Sequence, residues 1–409
     1  MNRETCIVCG HVRVAQIVDL GMHAFADTFV PASSFYAPDI VYPLACGLCA
    51  HCGHVQAVCV TEPEERYQNP SRTYAYTSAN SFTSRKHWDD FAAAAVARVG
   101  LQQGDFVVEA GSNDGYLLHA MQEKYGVIGQ GVDPSHRMAL FAAGNRVPTH
   151  IGFFEGCDAY LPGMTGATSL VIANNVLNHS NNPVSFIQTA DSLLKEDGWF
   201  VCEMPYWGQT VSSGRFDQIY HEHVSYFTVS SLSCLLADAG MTIRHVEVVD
   251  YHGGSLRVFA QKGDDTMCSD PSALLAINTE RAAGLLEVGT YHKWMDGIRA
   301  RKDKFMTTVY RHREEGTPIV AVGAAAKGNT FLTYTGLNNR LVDFVTDASP
   351  EKQGKYTPLT RIPIMADEAL TRYTGRLALV FLAWNIPEVV VANIKKNLDP
   401  KCTAITIAW

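Results

Sequence analysis

The run FDQIYHEHVSYF, residues 216–227, sets Tyr220, His221, Glu222 and His223 side by side. A neutral imidazole either takes a proton or binds a metal near pH 7, so the run invites a site. Its letters approach the metalloprotease H-E-x-x-H, but that motif needs its histidines four positions apart on one helical face. His221 and His223 stand two apart. In an extended segment they would point to one side and Glu222 to the other, leaving the carboxylate to bond something else. Histidines among aromatics also serve simply to satisfy buried hydrogen bonds. Metal or proton chemistry is therefore a question for the rest of the chain.

Cysteine is the next residue type that could do chemistry, and five of the eleven cysteines lie in the first 52 residues. Cys6-x-x-Cys9 and Cys49-x-x-Cys52 form two knuckles, each able to offer two thiolates to a tetrahedral zinc ion. Gly10 and Gly53 follow them, and a glycine there lets backbone N–H groups turn toward the sulfurs. Cys46 also makes C-x-x-C with Cys49, so the second pair stays open between 46/49 and 49/52. His11, His51 and His54 are near enough to compete. Four thiolates leave no open position on zinc, so this metal is expected to be structural rather than catalytic.

A third candidate is the turn in FVVEAGSNDGYLL: strand, Glu109, Gly111, Asn113, Asp114, Gly115, helix. It is shifted from the dinucleotide pattern G-x-G-x-x-G and lacks its third glycine. Ser112, Asn113 and Asp114 would crowd a diphosphate with polar and anionic groups. A zwitterionic ligand with an amino group and a ribose, such as S-adenosylmethionine, fits better. Asp133 ends the next strand in GQGVDPS, placed to accept ribose hydroxyls, and Asn174 and Asn175 close the strand after that.

The elements that must position these groups alternate. Strands are expected at 106–110, 127–133, 169–176 and 199–205, with helices around DDFAAAAVARVG, YLLHAMQEKYG and PVSFIQTADSLLKEDG, which means βαβ units and a parallel sheet. TIRHVEVVD and SLRVFAQ read as later strands joined at YHGG. A helical stretch follows from Pro271 to Arg313, and then PIVAVGAAAKGN, LVDFVTD, LALVFLAW and AITIAW read as strands of a second α/β unit. The expected division is a zinc-binding module at 1–68, a central Rossmann-like domain at 69–245 and a C-terminal α/β domain at 246–409. The first of these lacks the apolar pattern for a core of its own.

Bulk properties exclude other classes. Hydrophobic residues make up 47% and charged residues 18%, which suits a soluble globular protein, and the net charge of −8 argues against a nucleic-acid partner. No apolar run is long enough for a membrane span, and MNRETCIVCG has no secretory h-region, so a cytoplasmic location is expected. In that reducing setting paired cysteines favour metal over disulfides.

The cysteine module, the E-x-G-S-N-D-G turn and the YHEH run together resemble the sugar C-methyltransferases that act on nucleotide-linked 4-keto-deoxysugars. The segments carrying the resemblance are C-x-x-C…YPL…C-x-x-CGHVQ, EAGSNDGYLL, GVDPS, ANNVLNH, FDQIYHEHVSYF, HGGSLRVF and GAAAKGN…TDASPEKQGKYTP, spread along essentially the whole chain. The resemblance implies a zinc-binding N-terminal domain, a central class I S-adenosylmethionine domain and a C-terminal α/β domain contributing to the sugar-nucleotide site. It implies that His223 is the general base with Glu222 and Tyr220 beside it, and that Tyr74 or Tyr76 of YAYTS stands near the reacting carbon. His179, Arg257, Lys327 and Asn329 would join Tyr220 toward the sugar nucleotide.

The implied reaction needs such residues. A ketone makes the neighbouring carbon acidic, and proton removal gives an enolate that can attack a sulfonium methyl group. One base, one donor for the enolate oxygen and close alignment suffice, without a catalytic metal. Glu222 could orient His223 as a carboxylate does in a catalytic triad. Lys327 sits in VAVGAAAKGNTFL, which lacks the NTP-hydrolysing G-x-x-x-x-G-K-[ST] spacing but could hold a diphosphate at a helix N-terminus. The competing readings are a methyltransferase acting on another small-molecule carbon or oxygen and an NAD(P)-dependent oxidoreductase, the latter disfavoured by the missing third glycine.

Overall fold

The computed structural model describes residues 3–68, 77–79, 81–263, 270–384 and 387–409. Its strands gather into three sheets. The first joins β1 (Val14–His23), β2 (Tyr42–Cys49) and β3 (Val55–Ala57) to the remote β9 (Ser225–Tyr226), in the order β1-β2-β3-β9. Sequence reading found the knuckles here but not the strands. The β1–β2 pairing slips register twice, between Gln16 and Val18 and between Asp19 and Met22. Each slip breaks the two-residue alternation that marks a strand.

The second sheet has the order β10-β11-β8-β7-β4-β5-β6. Its strands are β4 (Phe106–Ala110), β5 (Ile128–Asp133), β6 (Thr149–Ile151), β7 (Thr168–Asn174), β8 (Leu194–Pro205), β10 (Met241–Val249) and β11 (Ser255–Lys262). Strands β4 to β8 run parallel, whereas β11 is antiparallel to β8 and to β10. This is the α/β sheet the sequence predicts. It includes the hairpin at YHGG, so the expected division near residue 246 falls inside β10. Strand β8 also begins at Leu194, where the sequence pattern continues the preceding helix to Gly198.

The third sheet, β14 (Ile364–Met365), β13 (Phe344–Thr346), β12 (Ile319–Val322), β15 (Arg376–Phe381) and β16 (Thr403–Thr406), is parallel throughout in that order. In both large sheets the chain leaves a central strand, β4 or β12, and turns into a helix at its carboxyl end.

Helices α1 (Pro63–Tyr67), α2 (Phe82–Val99), α3 (Tyr116–Tyr125), α4 (His136–Gly144), α5 (Pro183–Leu193), α6 (Trp207–Ser213) and α7 (Val229–Ala237) precede or flank the central sheet. The predicted helical stretch from Pro271 is two helices, α8 (Pro271–Ala282) and α9 (Val288–Glu314), separated where Gly284 takes φ 68°. Helices α10 (Ala326–Thr335) and α11 (Pro387–Asn397) belong to the third unit. Local chemistry sets the ends. Ser81 and Asn182 cap α2 and α5, and Pro271 opens α8 behind the Asp270 cap. Among the described residues no helix is long and apolar enough to cross a membrane.

The cysteine module has no separate core. Cys6, Val8, Cys49 and Cys52 pack into the cluster that contains Phe227, Val229 and the central sheet. Ile17, Val18, Leu44, Leu48 and Val55 pack instead with Tyr291, Met295 and Phe305 of α9 and with the third sheet. Its apolar residues are thus divided between the cores of its neighbours, which fixes it against both.

Gly115 caps α3 at φ 76°, and a Cβ there would lie 3.0 Å from Ala142 Cβ and 3.1 Å from its Cα. Left-handed backbone and a fixed neighbour both oppose a side chain. Gly115→Ala is expected to cost about 1–3 kcal/mol, read as a lower urea midpoint at unchanged slope.

Candidate active site

One cavity of about 1300 Å³ lies where the carboxyl ends of β4, β5 and β7 face those of β12 and β13, with α1 along its side. Open α/β sheets bind ligands at this kind of switch point. The volume exceeds the usual few hundred to about 1000 Å³ of a single-ligand pocket.

The crevice of the central sheet holds Glu109, Gly111, Asn113, Asp133, Asn174 and Asn175 in the cavity wall. Both Asp133 oxygens accept backbone amides, from Asn113 at 2.9 Å and Ser135 at 2.8 Å, tying the turn after β4 to the end of β5. Burial pushes Asp133 up to about 6, and those two amides oppose the rise. Burial also holds Glu109 well above the usual carboxylate range, with Asp114 and Asp133 adding repulsion. Among the described residues Glu109 Oε2 and both amide atoms of Asn174 are buried without a hydrogen-bond partner. Orphaned acceptors in a crowd of carboxylates fit a ligand that brings positive charge and donors, as the sulfonium, ammonium and ribose of S-adenosylmethionine would. Asp114 and Gly115 stand outside the cavity wall. Asp114 instead accepts from the Ala79 amide at 3.0 Å and from the Ser78 hydroxyl, holding that segment over the crevice.

The Tyr220–His223 segment is neither strand nor helix but a turn between a 3-10 turn at Phe216–Gln218 and β9. Its geometry answers what orients His223. The ring Nδ1 lies 2.9 Å from the Gln218 carbonyl, which can only accept, so Nδ1 carries the proton and the lone pair sits on Nε2. Burial lowers His223 to about 4, with the Lys327 charge helping and the Gln218 bond opposing. Glu222 is directed elsewhere: its Oε1 accepts the Asp27 amide at 3.3 Å. His221 faces away from the cavity, with Nε2 3.3 Å from the Pro43 carbonyl and its ring against Phe25 and Tyr42. Tyr220 packs on His223 with ring centroids 4.0 Å apart, and His179 meets it in a T-shaped contact at 5.0 Å. All four of Tyr220, Glu222, His223 and His179 line the cavity. Tyr74 and Tyr76 lie outside the described residues.

Lys327, on the first turn of α10, lines the opposite end. Its ammonium lies 4.4 Å over the Trp384 ring, and burial lowers it to about 7, with Asp217 opposing and Arg215 adding to the shift. Two residues expected at this end are elsewhere. Arg257 is spent on a buried ion pair with Glu203 at 2.8 Å and a second with Glu247 at 3.0 Å. Asn329 donates to the Ala26 carbonyl at 2.6 Å, joining α10 to the cysteine module.

Sequence reading missed several groups. Arg66 reaches from α1 to the carbonyls of His179 (3.3 Å), Glu222 (3.4 Å) and His221 (3.5 Å) and to Asn181 Oδ1 (2.5 Å). No spacing in PEERYQNP announces this. Asp347, by contrast, had a signal: it directly follows β13 in VTDAS, much as Asp133 ends β5 in GVDPS. It accepts the Ala324 amide at 2.8 Å and the Ser349 amide at 2.9 Å, the same bridge that Asp133 makes.

The cysteines converge as one group. The Sγ atoms of Cys6, Cys9, Cys49 and Cys52 all lie within 4.8 Å of one another, with Cys6–Cys52 at 3.6 Å and Cys9–Cys49 at 3.7 Å. A tetrahedral site with Zn–S near 2.3 Å has S···S edges of about 3.8 Å, so the set fits zinc. The two knuckles repeat each other: Gly10 N donates to Cys6 O and Gly53 N to Cys49 O, at φ 69° and 72°. Cys46 is not in the cluster. It is buried on β2 opposite Val18 and Ala57, and burial pushes its thiol up to about 12. His11 and His51 stack on each other at 5.4 Å, and His54 packs on Phe227.

Three family models match successive stretches of the chain. A zinc binding domain model matches residues 6–67, a methyltransferase domain model residues 84–246 and a C-methyltransferase C-terminal domain model residues 250–407. The fold is that of an S-adenosylmethionine-dependent methyltransferase with a zinc-binding module. The chain is 29% identical to the C-methyltransferase NovU of Streptomyces niveus over 397 residues, 97% of this chain and 93% of that one. With the C-terminal domain match, this identifies an S-adenosylmethionine-dependent C-methyltransferase. Among solved structures, magnesium protoporphyrin IX methyltransferase from Synechocystis PCC 6803 with bound SAH is 18% identical, covering 46% of this chain and 90% of that one at TM-score 0.36. The [4+2]-cyclase SpnF is 16% identical, covering 43% and 81% at TM-score 0.36. Likenesses at these scores do not bear on function.

Two outcomes follow from the metal cluster and Lys327. Elemental analysis is expected to find one zinc per chain, and Cys9→Ser to lower both metal content and Tm by several degrees. Lys327 titrates near 7 when folded but at its ordinary 10.5 when unfolded, so the unfolded chain holds the extra proton between them. The resulting penalty is absent above 10.5 and complete below 7. Lys327→Met should therefore stabilise the ligand-free protein more at pH 6 than at pH 10 in urea titrations.

Proposed function

We propose that this C-methyltransferase acts on a nucleotide-linked 4-keto-deoxysugar, removing the proton from the carbon beside the ketone, at C3, and methylating it to a branched sugar. The observation that carries the reading is the continuity of one cavity from the carboxylate-rich crevice, past a neutral imidazole, to a lysine at a helix N-terminus. S-adenosylmethionine supplies an electrophilic methyl group on a sulfonium. Glu109, Asn174 and the turn at Gly111–Asn113 surround it, with Asp133 beside the ribose. His223 takes the proton at Nε2, and Tyr220 packs against its ring. Glu222 and Asp27 border the sugar. Lys327 and the uncapped N-terminus of α10 suit the diphosphate, with the parallel crevice near Asp347 for the nucleoside. Zinc on Cys6, Cys9, Cys49 and Cys52 is structural.

Particular side chains in the two crevices support this orientation. Glu109 and Asp133 favour the cationic methyl donor, whereas Lys327 and Lys352 favour the anionic sugar nucleotide. The same carboxylates disfavour a dinucleotide diphosphate at the first crevice, and with it the oxidoreductase reading.

A panel of nucleotide-linked keto sugars with a radiolabelled methyl donor tests the substrate class; no transfer to any of them would sink it. On the accepted sugar, His223→Asn is expected to lower turnover by roughly 10²–10⁴-fold, the usual contribution of a general base. Turnover near the wild-type rate would remove His223 from that role.

A further inference from the structure

We propose that Tyr67, on the short helix of the cysteine module, is a positioning residue: its hydroxyl holds His179 in the tautomer whose Nε2–H faces the cavity, making His179 the donor to the substrate's ketone oxygen. The inference rests on the enolate chemistry proposed above and goes beyond it by assigning the oxygen's partner and the group that sets that partner.

The geometry is specific. Tyr67 OH and His179 Nδ1 form a short hydrogen bond. Arg66, the neighbouring residue, donates to the His179 carbonyl at 3.3 Å, so side chain and backbone of His179 are both gripped from α1. Burial pushes the Tyr67 phenol up, which keeps it an O–H donor at neutral pH. Burial first, then the neighbouring His223 and the Arg66 guanidinium, hold His179 well below the usual imidazole range, so the ring is neutral. A neutral imidazole that accepts at Nδ1 must carry its hydrogen on Nε2. Nε2 has no hydrogen-bond partner among the described residues, and the ring lines the cavity beside His223.

The two histidines are therefore set in opposite senses by different partners. The Gln218 carbonyl, an acceptor, puts the hydrogen of His223 on Nδ1 and leaves Nε2 bare. The Tyr67 hydroxyl, donating its O–H to Nδ1 in this proposal, does the reverse at His179. As the α-C–H bond breaks, its proton goes to His223 Nε2 and its electron pair forms the C–C double bond, moving charge onto the ketone oxygen. His179 Nε2–H donates a hydrogen bond to that oxygen and transfers no proton. A neutral donor close in acidity to an enol stabilises this charge without drawing the base's proton back.

The test is Tyr67→Phe in the full-length, zinc-loaded enzyme, read by ¹⁵N resonances of labelled histidine, with His179 assigned by its loss in His179→Gln. In the wild type His179 is expected as the neutral Nε2–H tautomer around pH 7, and Tyr67→Phe is expected to mix the two tautomers. Turnover of the keto sugar should fall roughly 10–100-fold, the scale of a misaligned catalytic group, with S-adenosylhomocysteine affinity and the sugar's KM nearly unchanged. Wild-type His179 protonated at Nδ1 overturns the proposal, and that spectrum needs no variant to fold. An unshifted tautomer or turnover within about twofold of wild type in Tyr67→Phe does so as well. If wild-type enzyme methylates no keto sugar, the substrate reading fails while the tautomer result stands separately.

Discussion

The tightest constraint in the candidate site is a histidine buried in the neutral state with one nitrogen already committed. The Gln218 carbonyl bonds His223 Nδ1 at 2.9 Å and fixes which nitrogen is basic. Desolvation does the rest, because an imidazolium formed in this cavity has lost its water. The cost is a base weaker than free histidine, with an ionisation near 4. An anionic group placed near Lys327 would lower that cost, since the lysine's charge is one of the causes of the shift.

The turn that carries this histidine has little regular structure, so its position must come from its surroundings. They come from three directions. Arg66 of the cysteine module holds the carbonyls of His221 and Glu222, and β9 pairs its far end with β3 through Val55 and Tyr226. Thr330 of the third unit donates to the Ile219 carbonyl at 3.2 Å. A zinc-stapled module without a core of its own is well suited to this task, because its apolar residues must be shared with both neighbours and so lock them in register.

The central and third sheets share a further device. After β4 and after β12 a glycine amide bonds back to the neighbouring strand, Gly111 to Val132 and Gly323 to Thr346, each at 2.8 Å. An aspartate two amides wide then bridges the turn, Asp133 in one case and Asp347 in the other. The same backbone frame serves two crevices, and their walls differ in side chains, with Glu109 in one and Lys327 in the other.

How much was legible in the sequence depended on the range of the interaction. The α/β class, most strands of both large sheets and the two C-x-x-C knuckles were readable, because strand alternation, buried apolar runs and metal spacing are local. His223, Glu109, Asp133 and Lys327 were legible for the same reason: each sits at a strand end or in a marked run. What could not be read was any choice made between distant segments. Cys52 rather than Cys46 joins the cluster because β2 turns Cys46 into the core. Arg257 meets Glu203 instead of the cavity because register sets those two opposite each other on β11 and β8. The grip of Arg66 and Tyr67 on a turn far along the chain was likewise decided only when three units packed together, since a hydrogen bond between remote residues leaves no period or spacing in the sequence.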